Sequence, residues 1–176
     1  NTSSDHEYIL KHSGARVAIV SNINIAKKLL PILSSTKCEL LVVIDRYKEE
    51  LDKTTILSDW QKFIEEGKNN PKNISNIYKK QKRTDTACII YTSGTGGYPK
   101  GVMLSHGAIL HNCFGADILL KPIIVNLKKI NFLSWLPLSH SYEHTLQFLI
   151  VGWGAQTYYA EGAEKLLVNM GEAKPH

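Results

Sequence analysis

Residues 91–101 read Tyr-Thr-Ser-Gly-Thr-Gly-Gly-Tyr-Pro-Lys-Gly, with hydroxyls at Thr92, Ser93 and Thr95, glycines at 94, 96, 97 and 101, and one ammonium at Lys100. Glycine accepts positive φ and has no Cβ to hold a ligand away from the backbone. Successive amides turned inward make a nest for an anion, and the hydroxyls and Lys100 add further donors. This is equipment for holding a polyphosphate, most plausibly that of a nucleotide. A glycine-rich hairpin without a ligand is the plain alternative, but such turns rarely combine so many hydroxyls with a lysine.

Two better-known phosphate loops do not fit. A Walker A loop places Gly-Lys-Ser/Thr at its end, whereas Lys100 follows Pro99 and precedes Gly101. A dinucleotide fingerprint opens a helix with Gly-x-Gly-x-x-Gly. Gly94 and Gly96 satisfy its first half, but Pro99 stands at the third glycine. Proline removes an N–H and fixes φ, which suits a rigid corner.

A second polar cluster lies at Leu133-Ser-Trp-Leu-Pro-Leu-Ser-His-Ser-Tyr-Glu-His144. It predicts a strand ending at Pro137, then polar residues, then an apolar helix over 145–151. Polar groups at the carboxyl end of a strand often line the ligand crevice of an α/β sheet. His140 and His144 are four apart. A zinc pair of the His-Glu-x-x-His kind has its glutamate beside the first histidine; here it adjoins the second. Structural histidines are the other reading of both.

The run from Tyr91 to His106 resembles the AMP-binding signature of the acyl-adenylate-forming enzymes, which include acyl-CoA synthetases, luciferases and peptide-synthetase adenylation domains. One position departs from that signature: Gly96 stands where threonine is usual. The segment Leu136-Pro-Leu-Ser-His140, followed by Tyr142 and Glu143, is similar to the next motif of the long-chain fatty acyl-CoA synthetase branch. The resemblance implies an AMP-forming long-chain fatty acid–CoA ligase, with ATP, Mg2+ and coenzyme A as its cofactor and co-substrates. It implies Thr92, Ser93, Gly94, Thr95, Gly96, Gly97 and Lys100 for the phosphates, and Pro137, His140 and Tyr142 for the acyl pocket. It assigns no catalytic residue and no metal ligand within these 176 residues.

The chain begins at Asn1, and the family's catalytic unit is much larger. The resemblance therefore implies that residues 1–176 are an internal part of an N-terminal adenylation domain, with its C-terminal domain absent and little activity alone. The alternatives are a non-catalytic nucleotide- or phosphate-binding module, an adenylating ligase for another carboxylic acid, and a phosphate-binding hydrolase or kinase of another fold.

The elements around the motifs alternate. Ser3 or Ser4 is placed to cap a helix over Tyr8–His12 that Gly14 ends. Strands follow at 16–21 and 39–45, with a helix at 23–34 that Pro31 should kink or shorten. Ser58 is placed to cap a helix through Gly67, and 67–83 reads as a polar surface connection. The apolar run 86–91 predicts a strand buried on both faces. Ser105 caps a helix from His106 to about Leu120. A strand at 156–160 and an amphipathic helix at 163–170 complete the chain. Helices alternating with apolar strands predict an α/β fold in which helices cover a largely parallel sheet.

The net charge of +5 sits mostly in residues 1–88, with 15 Lys/Arg against 11 Asp/Glu, compared with 6 against 5 in 89–176. Its sharpest run is Lys79-Lys-Gln-Lys-Arg83. A solvated connection explains it most simply, and a peripheral contact with an anionic membrane is the second reading. No aromatic ladder or nucleic-acid module accompanies the charge, so nucleic acid is not an expected partner. Cys38, Cys88 and Cys113 are widely spaced in apolar surroundings, as for buried free thiols of a cytoplasmic protein. The most apolar run, Phe148–Ala155, is far shorter than the ~20 residues that span a bilayer.

Overall fold

The computed structural model describes residues 2–47, 57–93 and 98–176. These form two compact units, residues 1–80 with 93–99, and residues 81–92 with 100–176.

The first unit is a small layered α/β body. Helix α1 (Ser3–Ser13) starts one residue before the expected caps: Thr2 is the N-cap. Thr2 Oγ1 accepts from the Asp5 N–H at 3.2 Å, and the Thr2 N–H donates to Asp5 Oδ2 at 2.7 Å. This reciprocal capping box satisfies two groups at once. The same bonds hold the Asp5 carboxyl below the usual carboxylate range. Gly14, at φ 65°, ends the helix in the left-handed conformation, as the sequence predicted.

Strand β1 (Val17–Val20) pairs in parallel with β2 (Leu40–Val43), and β2 pairs in parallel with β3 (Leu57–Asp59). Helix α2 (Ile23–Leu33) is the crossover, capped by the Asn22 side chain. Pro31 lies inside this helix only two residues from its end, so the N–H it lacks belongs to a turn that was about to finish. The central strand is covered on both faces, with Leu41, Val42 and Val43 all at 0 % exposure. Leu41 and Val43 join Leu10, Ala26, Leu29, Leu33 and Cys38 in one apolar cluster beneath α1 and α2. Helix α3 (Trp60–Asn69) packs on β2 and β3. Its cap is Asp59, which accepts from the Lys62 N–H at 3.0 Å. Ser58, the expected cap, is instead a buried residue of β3 opposite Val42. The polar stretch that follows is exposed as predicted, and holds one short helix, α4 (Ser75–Tyr78).

The second unit opens with a hairpin. Strand β4 (Thr86–Thr92) pairs antiparallel with β5 (Lys100–Ser105), with a register shift between Thr86 and Cys88. A parallel return would need a dozen or more connecting residues, and only seven separate these strands. Among the described residues β4 has β5 as its only partner strand, so the expectation of a strand buried on both faces fails. Ile90 is buried at 9 %, whereas Ile89 is 39 % exposed. Helix α5 (His106–Ile124) follows, capped by Ser105 Oγ, which accepts from the Ala108 N–H at 3.1 Å.

A parallel βαβ unit completes the chain. Strand β6 (Asn131–Ser134), helix α6 (Ser141–Trp153) and strand β7 (Gln156–Tyr159) run in that order, and β6 and β7 pair in parallel. A 3-10 turn (Ala163–Lys165) leads into α7 (Leu166–Ala173), which packs on β6. Helices α5 and α6 pack together. Trp153 Nε1 donates to Asp117 Oδ1 at 2.7 Å, and Cys113 Sγ lies 3.6 Å from the Thr145 carbonyl oxygen. The α/β class and the dominance of parallel pairing thus hold, with three separate sheets in place of one and a single antiparallel hairpin among the described residues.

Two expectations change here. Helix α5 is long and apolar enough to cross a membrane by length and composition, although it is almost entirely unburied. Its apolar content escapes a search for uninterrupted runs because His111, Asn112, Asp117 and Lys121 punctuate it. Of the three cysteines only Cys38 is buried; Cys88 and Cys113 are half-buried free thiols.

Leu41→Ala should destabilise the first unit by ~2–5 kcal/mol, read as a fall in its urea midpoint. A Cβ at Gly107 would sit 2.8 Å from the Arg83 carbonyl oxygen, a backbone atom that cannot swing aside. Gly107→Ala should therefore cost the second unit ~1–3 kcal/mol, read as a fall in that unit's own urea midpoint. Burial pushes the Cys113 thiol up. Its thiolate therefore forms at higher pH than in a free cysteine, and its iodoacetamide labelling, followed by mass spectrometry, should rise above about pH 8.5.

Candidate functional site

The β4–β5 hairpin fixes the two ends of the glycine-rich loop. Thr92 on β4 is the register partner of Lys100 on β5, so the loop leaves and re-enters the hairpin at directly opposed residues. Thr92, Ser93 and Lys100 are all exposed. Among the described residues none of the three side chains has a hydrogen bond or ion pair. Gly94, Thr95, Gly96 and Gly97 lie outside the described residues. Tyr98 is described; its ring lies 5.3 Å from that of Tyr8.

Gly101 has a steric role that flexibility arguments miss. It is the register partner of Tyr91. A Cβ there would meet Ile89 Cγ2 at 3.0 Å and the Tyr91 ring at 3.3 Å. The strand approaches that ring closely because position 101 carries no side chain.

The second cluster gathers where β6 ends and α6 begins. His140 is the N-cap of α6: its Nδ1 accepts from the Tyr142 N–H at 3.3 Å, and its own N–H donates to the Pro137 carbonyl at 2.8 Å. With Nδ1 accepting, a neutral ring carries its proton on Nε2, which makes that nitrogen a donor. Pro137, His140 and Tyr142 are all exposed. Tyr142, 62 % exposed, borders two cavities of this unit. One, of about 290 Å³, is apolar and lined by Leu120, Ile124, Phe132, Leu146, Ile150 and Trp153. The other, of about 350 Å³, lies along Leu104, Ile109, Asn112 and Thr145.

His144 has a different environment. Its Nε2 lies 3.5 Å from Cys88 Sγ, and its ring meets Phe148 edge-on at 5.1 Å. The two histidines therefore have separate sets of partners despite their four-residue spacing.

The most buried polar group of the cluster has no role in the expectations drawn from the motif. Glu143 is 1 % exposed, and its Oε1 accepts from Ser134 Oγ at 2.5 Å and from Gln147 Nε2 at 3.0 Å. A signal was present: Leu146, Leu149, Ile150 and Trp153 form the apolar stripe of α6, and Glu143, three residues before Leu146, lies on that stripe.

Comparison with known proteins places these features in a family. The model of the AMP-binding enzyme family matches residues 1–173. The chain is 32% identical over 180 residues to the long-chain-fatty-acid–CoA ligase ACSBG2 of Homo sapiens, covering 99% of this chain and 26% of that protein. It is 31% identical over 170 residues to long chain acyl-CoA synthetase 3 of Arabidopsis thaliana, covering 92% of this chain and 25% of that one. Among solved structures it resembles a long-chain-fatty-acid-CoA ligase of Archaeoglobus fulgidus, with a TM-score of 0.70, 24% identity, and coverage of 99% of this chain and 32% of that chain. It also resembles a red-emitting luciferase of Phrixothrix hirtus, with a TM-score of 0.72, 18% identity, and coverage of 99% and 33%. The chain spans about a quarter of the length of the curated relatives it matches. With a family match over nearly every residue and the fold of these enzymes, the chain belongs to the AMP-binding enzyme family.

Proposed function

We propose that the protein activates a long-chain fatty carboxylate with ATP and passes the acyl group to coenzyme A, and that this chain supplies the phosphate-holding loop and one wall of the acid site. The observation that carries the proposal is the opposed pair Thr92–Lys100, which brings exposed donors of both strands to the two ends of the glycine-rich segment. The relatives' names support the fatty acid and the thioester product.

In the first step a carboxylate oxygen attacks the α-phosphorus of ATP, and the bond to the bridging oxygen breaks to release pyrophosphate. In the second the coenzyme A sulfur attacks the acyl carbonyl, losing its proton, and AMP departs. The first step brings a negative oxygen toward a negative phosphate. The protein therefore contributes alignment and charge neutralisation rather than a nucleophile of its own.

Each residue has a part in that division of labour. Lys100 places an ammonium against the departing phosphates. Thr92, Ser93 and Thr95 donate hydroxyl hydrogens, and Gly94, Gly96 and Gly97 leave backbone amides open to the anion. These hydrogen-bond donors suit a triphosphate, and Mg2+, arriving with the nucleotide, would supply the counter-charge that the phosphates still need. On the acid side His140 offers Nε2–H, held in place because Nδ1 caps α6, while Pro137 and Tyr142 provide apolar surface.

The test uses the full-length protein. Lys100→Ala should slow fatty-acid-dependent ATP–pyrophosphate exchange by about tenfold or more, because one charge-assisted contact to phosphate is lost. Exchange at the wild-type rate would remove Lys100 from the phosphate site.

A further inference from the structure

The Ser134–Glu143 contact joins the two ends of a short loop. Strand β6 stops at Ser134 and α6 starts at Ser141, so the loop is residues 135–140. It is unusually open for its composition: Trp135 is 56 % exposed, Leu138 is 52 % exposed, and only Leu136 is half-buried. Its internal bond is the one from the His140 N–H to the Pro137 carbonyl. Such a segment has little burial of its own to hold it in one conformation.

Glu143 lies directly beneath it. A carboxyl taken out of water is costly unless donors satisfy it, and an apolar residue would fill the same space more cheaply. No ion pair among the described residues involves Glu143. What it has are two neutral donors: Ser134 Oγ from the strand side of the loop, and Gln147 Nε2 from the next turn of its own helix. Its effect is therefore geometric, tying the last residue of β6 to the first turn of α6. That turn also carries Tyr142 and the His140 cap.

We propose that the Ser134–Glu143 pair is a clamp that positions the 135–140 loop, and that Glu143 thereby sets the face of Pro137, His140 and Tyr142 toward the carboxylic acid. Glu143 is a positioning residue: it acts through the loop and through α6. The proposal rests on the reading of that face as the acid side. A loop that spends less time in its competent arrangement weakens apparent binding by the lost fraction. The loss therefore falls on the acid and spares ATP.

The experiment compares three variants of the full-length protein in pyrophosphate exchange. Ser134→Ala and Glu143→Leu should each raise KM for a long-chain fatty acid about tenfold while KM for ATP stays within about twofold. Glu143→Gln keeps an acceptor oxygen for both donors and should restore the acid KM to within about twofold of wild type. Amide hydrogen exchange over 135–140 should quicken about tenfold in Ser134→Ala and stay near wild type in Glu143→Gln. Equal rises in both KM values, or unchanged exchange across 135–140 in Ser134→Ala, would overturn the clamp. If the wild-type protein exchanges pyrophosphate with no carboxylic acid at all, the ligase reading falls, and the hydrogen-exchange comparison by itself decides whether the clamp exists.

Discussion

The pairing of β4 with β5 is the constraint on which the ends of the glycine-rich segment depend. Seven residues separate Thr92 from Lys100, too few for anything but an antiparallel return. Once the strands pair, a hydroxyl and an ammonium far from neighbouring in the chain stand across from each other. The loop between them inherits fixed end points, which lowers the entropy cost of closing it around a ligand. The Ser105 cap then starts α5 directly after the hairpin, so strand, loop, strand and helix form one uninterrupted local unit.

The turn from β6 to α6 is built on a different principle from the hairpin. The hairpin pairs its backbones and leaves the side chains of Thr92 and Lys100 exposed. The turn from β6 to α6 leaves apolar side chains in solvent and places its charge-bearing group inside. Glu143, at 1 % exposure, organises that turn from beneath, while Trp135 and Leu138 face outward. Exposed apolar groups over a buried polar tie are the reverse of ordinary burial.

Much of this was legible in the sequence, where local chemistry decides structure. Gly14 ends α1, Ser105 caps α5, and the strands at 17–20, 40–43 and 156–159 fall within the predicted segments. The errors share a cause. Ser3, Ser4 and Ser58 are good capping residues in isolation, but Thr2 and Asp59 won because each has its acceptor oxygen at the right spacing from a free N–H. The run 86–91 carries the composition of a buried strand, yet burial depends on how many strands lie beside it, which composition does not encode. Of the candidate site, the hairpin ends were readable because the motif is contiguous. The Ser134–Glu143 tie was not, because it joins a strand to a helix across nine positions, and no periodicity records that contact.

Tyr91 and Gly101 illustrate how shape alone can bind two positions into one heritable trait. The ring at 91 occupies the space that any side chain at 101 would need, so neither site is free to drift by itself. A smaller residue at 91 would relieve only part of the crowding, because Ile89 Cγ2 would still meet a Cβ at 101 at 3.0 Å. Among relatives of this chain a side chain at 101 should therefore come with changes at both 89 and 91, as a lock and its key are recut together.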